Sequence, residues 1–273
     1  MDSAAIQEIA SRLIEAQDHA TTLAPIAAAT AGFDVDAAYD VLAAIESHRI
    51  AQGWRPVGRK IGFTNRTIWP RYGVYQPMGA RVWSHTVQYA ASGRATQSLA
   101  GVVQPRIEPE VVFKLAAPVR EGADARAVLM ATEWIAAGFE IVQRHFPGWT
   151  FQAADCTAAV GLHAALIVGE PYALDAASRA VIAGLLPTFR ATLRKADVVV
   201  DTGVGANVLD SPALAVAHLA GVLEQHPRHP PLAAGEIVTT GTITDAWPVC
   251  AGETWSSDYG ELPVRGLTLT FTS

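Results

Sequence analysis

The stretch Gln104-Pro105-Arg106-Ile107-Glu108-Pro109-Glu110-Val111-Val112-Phe113 constrains this chain more than any other. Its Val, Ile and Phe residues favour a strand, and its polarity alternates with period two. Side chains on a strand point to opposite faces in turn, so Glu108 and Glu110 share one face while Ile107, Val111 and Phe113 share the other. The apolar face calls for a core. The acidic face sets a condition, because neighbouring carboxylates repel and burial makes that worse. On its own, Glu-x-Glu reads as a solvated strand face. If it is buried it needs a cation, and two carboxylates offer the hard oxygen ligands that Mg²⁺ and Mn²⁺ prefer.

With 273 residues, half of them hydrophobic and 17% charged, the chain has an ordinary globular composition. A chain of this length buries roughly 75% of its unfolded surface and needs no staples. It can form one large domain or two small ones. The net charge of −6, with no basic block, argues against a nucleic-acid partner. Cys156 and Cys250 lack any close spacing and form neither a disulfide framework nor a zinc motif, which suits a reducing compartment. The first residues have neither the basic nor the apolar region of a secretory signal. No uninterrupted apolar run approaches the ~20 residues of a membrane helix. These readings predict a cytoplasmic protein with no membrane partner.

Ile6, Ile9, Ala10, Leu13 and Ile14 recur at helical spacing and predict a helix over 4–17. Ala38, Val41, Leu42 and Ile45 predict a second over 35–52, capped by Asp34 or Asp36 and ended by Gly53. Glu46 and His48 lie two apart on that helix and point different ways, so they read as surface residues. Gly58-Arg59-Lys60-Ile61-Gly62-Phe63-Thr64-Asn65 sets a lysine among glycines and apolar residues. Either Lys60 sits in solvent on a turn, or it points into a pocket to meet an anion. The glycines permit close backbone approach in both cases. Residues 72–83 read as irregular and aromatic.

Residues 123–137 read as a helix, followed by a short strand Gly138-Phe139-Glu140-Ile141-Val142. Glu is rarely buried unless paired, so Glu140 is either at a strand edge or a third carboxylate of a metal set. The block 155–161 leads into a buried strand at 164–169, with His163 between them as a structural histidine. Strands are expected at 188–194 and 198–200, then a helix started by Ser211 and Pro212 and running to about Gln225. His226 and His229 fall in a proline-rich turn that reads as exposed. Strands over 236–243 and 264–272 complete an α+β pattern.

Taken together, Gly58-Arg59-Lys60-Ile61-Gly62-Phe63-Thr64, Pro105 to Phe113, Phe139-Glu140-Ile141-Val142 and Leu232 to Gly241 resemble, in order and spacing, the 2-oxopent-4-enoate hydratase group of the fumarylacetoacetate hydrolase superfamily. The likeness covers roughly residues 35 to 272 in outline. It implies a mixed β-sheet roll over 57–273, preceded by a helical segment over 1–56. It also implies Mg²⁺ or Mn²⁺ held by Glu108, Glu110 and Glu140, with Lys60 as the cation of the substrate pocket, and a homo-oligomer. The implied substrate is a small 2-oxo acid from aromatic-compound catabolism, and the implied reaction is hydration of a 2-hydroxy-2,4-dienoate to a 4-hydroxy-2-oxo acid. Decarboxylation of a 2-oxo-3-enedioate, C–C hydrolysis of an acylpyruvate and a non-catalytic oligomer are the alternatives.

The chain departs from the group at two places. Gln76-Pro77-Met78 stands where many hydratases carry Gln-Pro-Asp. Asp155-Cys156-Thr157-Ala158-Ala159-Val160-Gly161 stands where they carry Asp-Asn-Ala-Ser-Ser-Gly. Asp155 is then the remaining candidate for the base on the water side.

Overall fold

The strand predicted around Glu108 runs from Arg106 to Leu115 and lies near the middle of a large mixed sheet. A computed structural model describes residues 1–273, all but the side chain of Arg71. In chain order the elements that position the site are α1 (Ser3–Asp18), α2 (Val35–Ala51), β1 (Pro56–Gly62), β2 (Met78–Trp83), β3 (Arg106–Leu115), α3 (Ala125–Met130), β4 (Thr132–Val142), α4 (Ala153–Ala158), β5 (His163–Val168), α5 (Pro212–Gln225) and β6 (Ile237–Thr239). The large sheet runs β2-β1-β6-β3-β4-β5, then Val87–Tyr89. β1 and β6 are parallel, whereas β3, β4 and β5 form an antiparallel ribbon. A second sheet orders Val198–Val204, Arg190–Lys195, Thr254–Asp258, Thr268–Thr272 and Arg94–Ser98. Mixed sheets with separate helices make the α+β fold expected.

Period-two alternation sorts the residues of β3. Ile107, Val111 and Phe113 are fully buried and share one core with Trp255, Leu269 and Phe271 of the second sheet and with Val216 and Leu219 of α5. Each such side chain contributes about 1.5–3 kcal/mol when removed from water. The opposite face carries Val112, Ala136 and Leu166. Next to them, on that same face, sit the glutamates. α1 and α2 share a core with Cys156 and Ala158 of α4 and with Met78 and Ala80 of β2. The helix that begins the chain therefore packs on the elements around the acidic end of the sheet. Asp34 caps α2, accepting the Ala37 N–H at 2.9 Å.

Residues 72–83, read as irregular, end in strand β2 (Met78–Trp83), which pairs with β1, and a second reading also needs correction. The helix expected over 123–137 stops at Met130, and Thr132 begins an eleven-residue strand. Ala136 and Ala137 are helix formers, but β4 pairs with β3 from Leu115↔Thr132 to Arg106↔Val142. That long ladder outweighs local propensity. The stretch Gly205–Gln225 is long and apolar enough to match a membrane span by composition, and 61% of its apolar window is buried inside the protein as a core helix.

Gly58 shows why a glycine opens the lysine segment. A Cβ there would lie 2.0 Å from the Ile237 carbonyl oxygen of β6. The glycine permits strand–strand approach at this point, on the neighbouring chain segment and not on a ligand.

Candidate active site

β3 and β4 bring the acidic residues together through register. Glu108 pairs directly with Glu140, and Glu110 pairs with Gly138, all on one face. One oxygen from each of Glu108, Glu110 and Glu140 lies within 4.8 Å of the others. Glu110 Oε2 accepts the Gly241 N–H at 2.7 Å. Glu140 Oε1 accepts from His163 Nδ1 at 2.8 Å, and Glu140 Oε2 faces the Lys60 ammonium at 3.3 Å. Lys60 Nζ also donates to the Gly161 carbonyl at 2.8 Å.

Burial pushes the Glu108 carboxyl up to about 7; the Glu140 charge adds to this, and Lys60 and Arg106 oppose it. Burial, then Glu140 and Glu108, drives Glu110 well above the ordinary carboxylate range. Burial also works upward on Glu140, but Lys60 and His163 outweigh it and hold this carboxyl below its usual value. For Lys60 burial acts downward, and the three glutamates overcome it and keep the ammonium charged. Three carboxylates against one ammonium leave two negative charges in excess, the charge of one divalent cation. Glu110 Oε1 is buried without a hydrogen-bond partner, and Glu140 Oε2 has only the Lys60 ion pair. Orphaned buried acceptors are rare in folded proteins. An all-oxygen set of this kind fits Mg²⁺ or Mn²⁺.

The cluster opens on a cavity of about 390 Å³, within the size range of small-molecule sites. Lys60, Glu108 and Gly161 line it, as do Arg106, Trp149 and Phe151. Val160, Gly161 and Leu162 form a run of left-handed backbone with φ of 57°, 60° and 65°. A β-branched residue there is strained, and such strain gathers at functional sites. The Gly161 carbonyl that meets Lys60 comes from the middle of this run.

The structure places three polar residues differently from the sequence reading. Asp155 does not line the cavity. Its Oδ1 accepts the N–H groups of Ile26 and Ala27 at 2.7 and 2.9 Å, and its Oδ2 accepts the Gln152 N–H at 2.9 Å. It staples the loop after α1 to the start of α4, a role that leaves no basic lone pair facing a substrate, so the reading as water-side base is corrected. Its neighbour Cys156 does line the cavity, and burial pushes this thiol up to about 12, so it stays protonated.

His163, read as purely structural, bridges Glu140 to Thr86 Oγ1, the latter at 2.8 Å. A ring nitrogen facing a carboxylate carries a proton, so Nδ1 donates. Glu46 is 4% exposed and not at the surface; it pairs with Arg81 Nε at 2.9 Å and with His229 Nδ1 at 3.3 Å. His229 is likewise buried, at 3% exposure, whereas His48 is exposed as expected. None of Glu46, Arg81 and His229 lines the cavity. The signal for Glu46 was its place one residue after Ile45 and four after Leu42, on the packed side of α2.

No family model matches the chain. It is 30% identical over 257 residues, 92% of each chain, to 2-hydroxyhexa-2,4-dienoate hydratase of Comamonas testosteroni. It is also 30% identical over 219 residues, 79% of this chain and 78% of the relative, to 4-oxalocrotonate decarboxylase of Pseudomonas sp. strain CF600. Among solved structures, 4-oxalocrotonate decarboxylase from Pseudomonas putida G7, complexed with magnesium and adipate, superposes with a TM-score of 0.89 at 22% identity, covering 99% of this chain and 98% of that one.

Proposed function

The chain belongs to the 2-oxopent-4-enoate hydratase group of the fumarylacetoacetate hydrolase superfamily, and from that membership we propose that it is a hydro-lyase of aromatic-compound catabolism. It adds water to a 2-hydroxy-2,4-dienoate and forms a 4-hydroxy-2-oxo acid. The observation that carries this reading is the convergence of Glu108, Glu110 and Glu140 beside Lys60, with Glu108 and Lys60 on the wall of the cavity. Those three glutamates would hold Mg²⁺ or Mn²⁺. A divalent cation bound there would supply an electrophile for a 2-oxo acid and would stabilise negative charge that develops during the reaction.

Lys60 acts as a fixed cation. The surrounding glutamates keep its ammonium protonated, so it holds the substrate carboxylate and does not serve as a base. The Gly161 carbonyl and Glu140 set where that ammonium points. His163 orients Glu140 in turn. Phe63, Trp149 and Phe151 wall the carbon chain and keep bulk water from it. Protonation of the dienol at its far end gives an α,β-unsaturated ketone, and water then adds at the remote alkene carbon.

The 4-oxalocrotonate decarboxylase relative supports a second reading, loss of CO₂ from a 2-oxo-enedioate. C–C hydrolysis is less favoured, because the Glu46–His229 pair that resembles a water-activating dyad lies away from the cavity. With a 2-hydroxy-2,4-dienoate as substrate, the dienol ultraviolet band should disappear with one acid product and no CO₂. Stoichiometric CO₂ from an enedioate would move the assignment to decarboxylase, and two acid fragments would move it to hydrolase.

A further inference from the structure

Hydration needs a group that takes a proton from water, and Asp155 cannot be that group because backbone N–H groups occupy its carboxylate. The wall of the cavity narrows the choice. Lys60 and Arg106 are cations there, burial keeps Cys156 protonated, and Glu108 belongs to the metal set. Besides Glu108, Asp245 is the one carboxylate among the described lining residues, and no histidine stands among them. Asp245 is exposed, and its carboxylate has no hydrogen bond or ion pair among the described residues.

The backbone sets Asp245 against Glu108. The Ile243 N–H donates to the Pro109 carbonyl at 3.0 Å, and Trp247 pairs with Ile107. These attachments lie on either side of Glu108 on β3, so Thr244, Asp245 and Ala246 bulge out against that one residue. A bulge re-aims the side chains it carries. This one is fixed from outside the cavity. Asp201, in the strand Val198–Val204, does not line the cavity, and its Oδ2 accepts the Asp245 N–H and the Trp247 indole N–H, both at 2.9 Å. Thr244 Oγ1 donates to the Asp245 carbonyl at 3.0 Å, and Asn207 Nδ2 donates to the Ile243 carbonyl at 2.9 Å. Gly203 permits that approach, since a Cβ there would lie 2.0 Å from the Ile243 oxygen.

The backbone of Asp245 is thus tied on both sides while its acid group stays open to water and to the cavity, the reverse of Asp155. Functional groups on loops work when a rigid scaffold positions them. We propose that Asp245 is the general base of the hydration and that Asp201 is its positioning residue. Asp245 accepts one proton of a water molecule as the water oxygen bonds to carbon 4 of the α,β-unsaturated ketone. The alkene electron pair shifts towards the 2-oxo group, and the proton returns to carbon 3 as the 4-hydroxy-2-oxo acid forms, so no other reactant is needed. Exposure at the cavity mouth suits this role, because the water must enter from solvent. The proposal rests on the hydratase reading of the same site.

The test follows a 2-hydroxy-2,4-dienoate with the Mg²⁺-loaded full chain, reading loss of the dienol ultraviolet band and, by proton NMR, appearance of the 4-hydroxy-2-oxo acid. Asp245→Asn should lower kcat for the hydroxy acid by about 100-fold or more and leave KM within about threefold. The dienol should still be consumed, so the unsaturated ketone accumulates. Asp245→Ala should behave alike and recover part of its rate in added formate, which a merely structural role would not allow. Asp201→Asn should lower kcat in the parent and cause no further loss in the Asp245→Asn background. Hydroxy acid formation in Asp245→Asn within about threefold of the parent rate overturns the base and leaves the hydratase reading standing. Dienol consumption that falls as far as hydroxy acid formation also overturns it, because Asp245 would then act before water adds. If the parent hydrates no 2-hydroxy-2,4-dienoate, the hydratase reading fails and the base assignment with it.

Discussion

Glu108 and Glu140 face each other across one rung of an antiparallel ladder, and both carboxylates lie on the buried face. Directly opposed like charges destabilise a sheet. Strand β3 adds Glu110 to the same face two residues on, and Lys60 answers only one of the three charges. A chain held in this arrangement is more stable with a divalent cation bound than without one.

Metal binding should therefore appear as stability as well as activity. Mg²⁺ at about 100 times its Kd should add about 2.7 kcal/mol to unfolding, seen as a rise in melting temperature that a chelator reverses. Glu110→Gln removes one oxygen ligand and one repelling charge. The variant should fold without metal at least as stably as the parent, and its affinity for Mg²⁺ should fall about tenfold or more. A variant that keeps the full metal-induced shift would take Glu110 out of the ligand set.

Lys60→Met tests the fixed cation. In the metal-loaded protein the loss of one charge-assisted contact to the reacting acid should cost about 2–4 kcal/mol of transition-state stabilisation, or roughly 30- to 1000-fold in kcat/KM. Unchanged turnover would remove Lys60 from the site. Without metal the variant should also be less stable, because Glu140 then loses its ammonium partner inside the protein.

The parts of this site that the sequence revealed are those written in local alternation. Glu108 and Glu110 two apart among Ile, Val and Phe define a face, and Glu140 stands out as a lone acid between Phe139 and Ile141. The parts it hid depend on distant backbone. Asp155 reads as a free acid until the N–H groups of Ile26 and Ala27, far away in the chain, are seen to occupy it. His163 reads as filler until strand pairing sets it beside Glu140, two strands across the sheet from β3. The Ala-rich opening of β4 reads as helix because its pairing with β3 is a long-range fact. Glu46 reads as surface because its partners Arg81 and His229 come from a strand and a loop that only the fold brings to α2.

That Glu46 network sets a pH dependence. Burial raises the carboxyl, and the His229 hydrogen bond and Arg81 more than reverse it, so the folded pKa lies below the ordinary value. A group of this sign contributes stability above its unfolded pKa of about 4.3 and loses it as pH falls through the lower folded value. Glu46→Gln leaves Arg81 without its partner and should cost about 3 kcal/mol at neutral pH. The difference in unfolding free energy between parent and variant should shrink as the pH drops below about 4. A difference that stays constant from pH 7 into that range would show that the ionised Glu46 contributes nothing.

Gly161 gives the sharpest test of how Lys60 is held. Its φ is 60°, and a Cβ built there would lie 2.7 Å from Lys60 Cδ. Gly161→Ala therefore strains the backbone and also pushes the lysine stem aside. The strain should lower stability by about 1–2 kcal/mol. The displacement should lower kcat/KM, since an ångström of misplacement costs on the order of 100-fold at a reacting centre. The two effects separate in a double-mutant cycle. If Gly161→Ala acts on turnover through Lys60, its effect on kcat/KM should nearly vanish in the Lys60→Met background, while its effect on melting temperature persists. Independent residues would give additive losses within about 0.3–0.5 kcal/mol. Additivity in kcat/KM would mean that Gly161 shapes the cavity by some route other than the ammonium it faces.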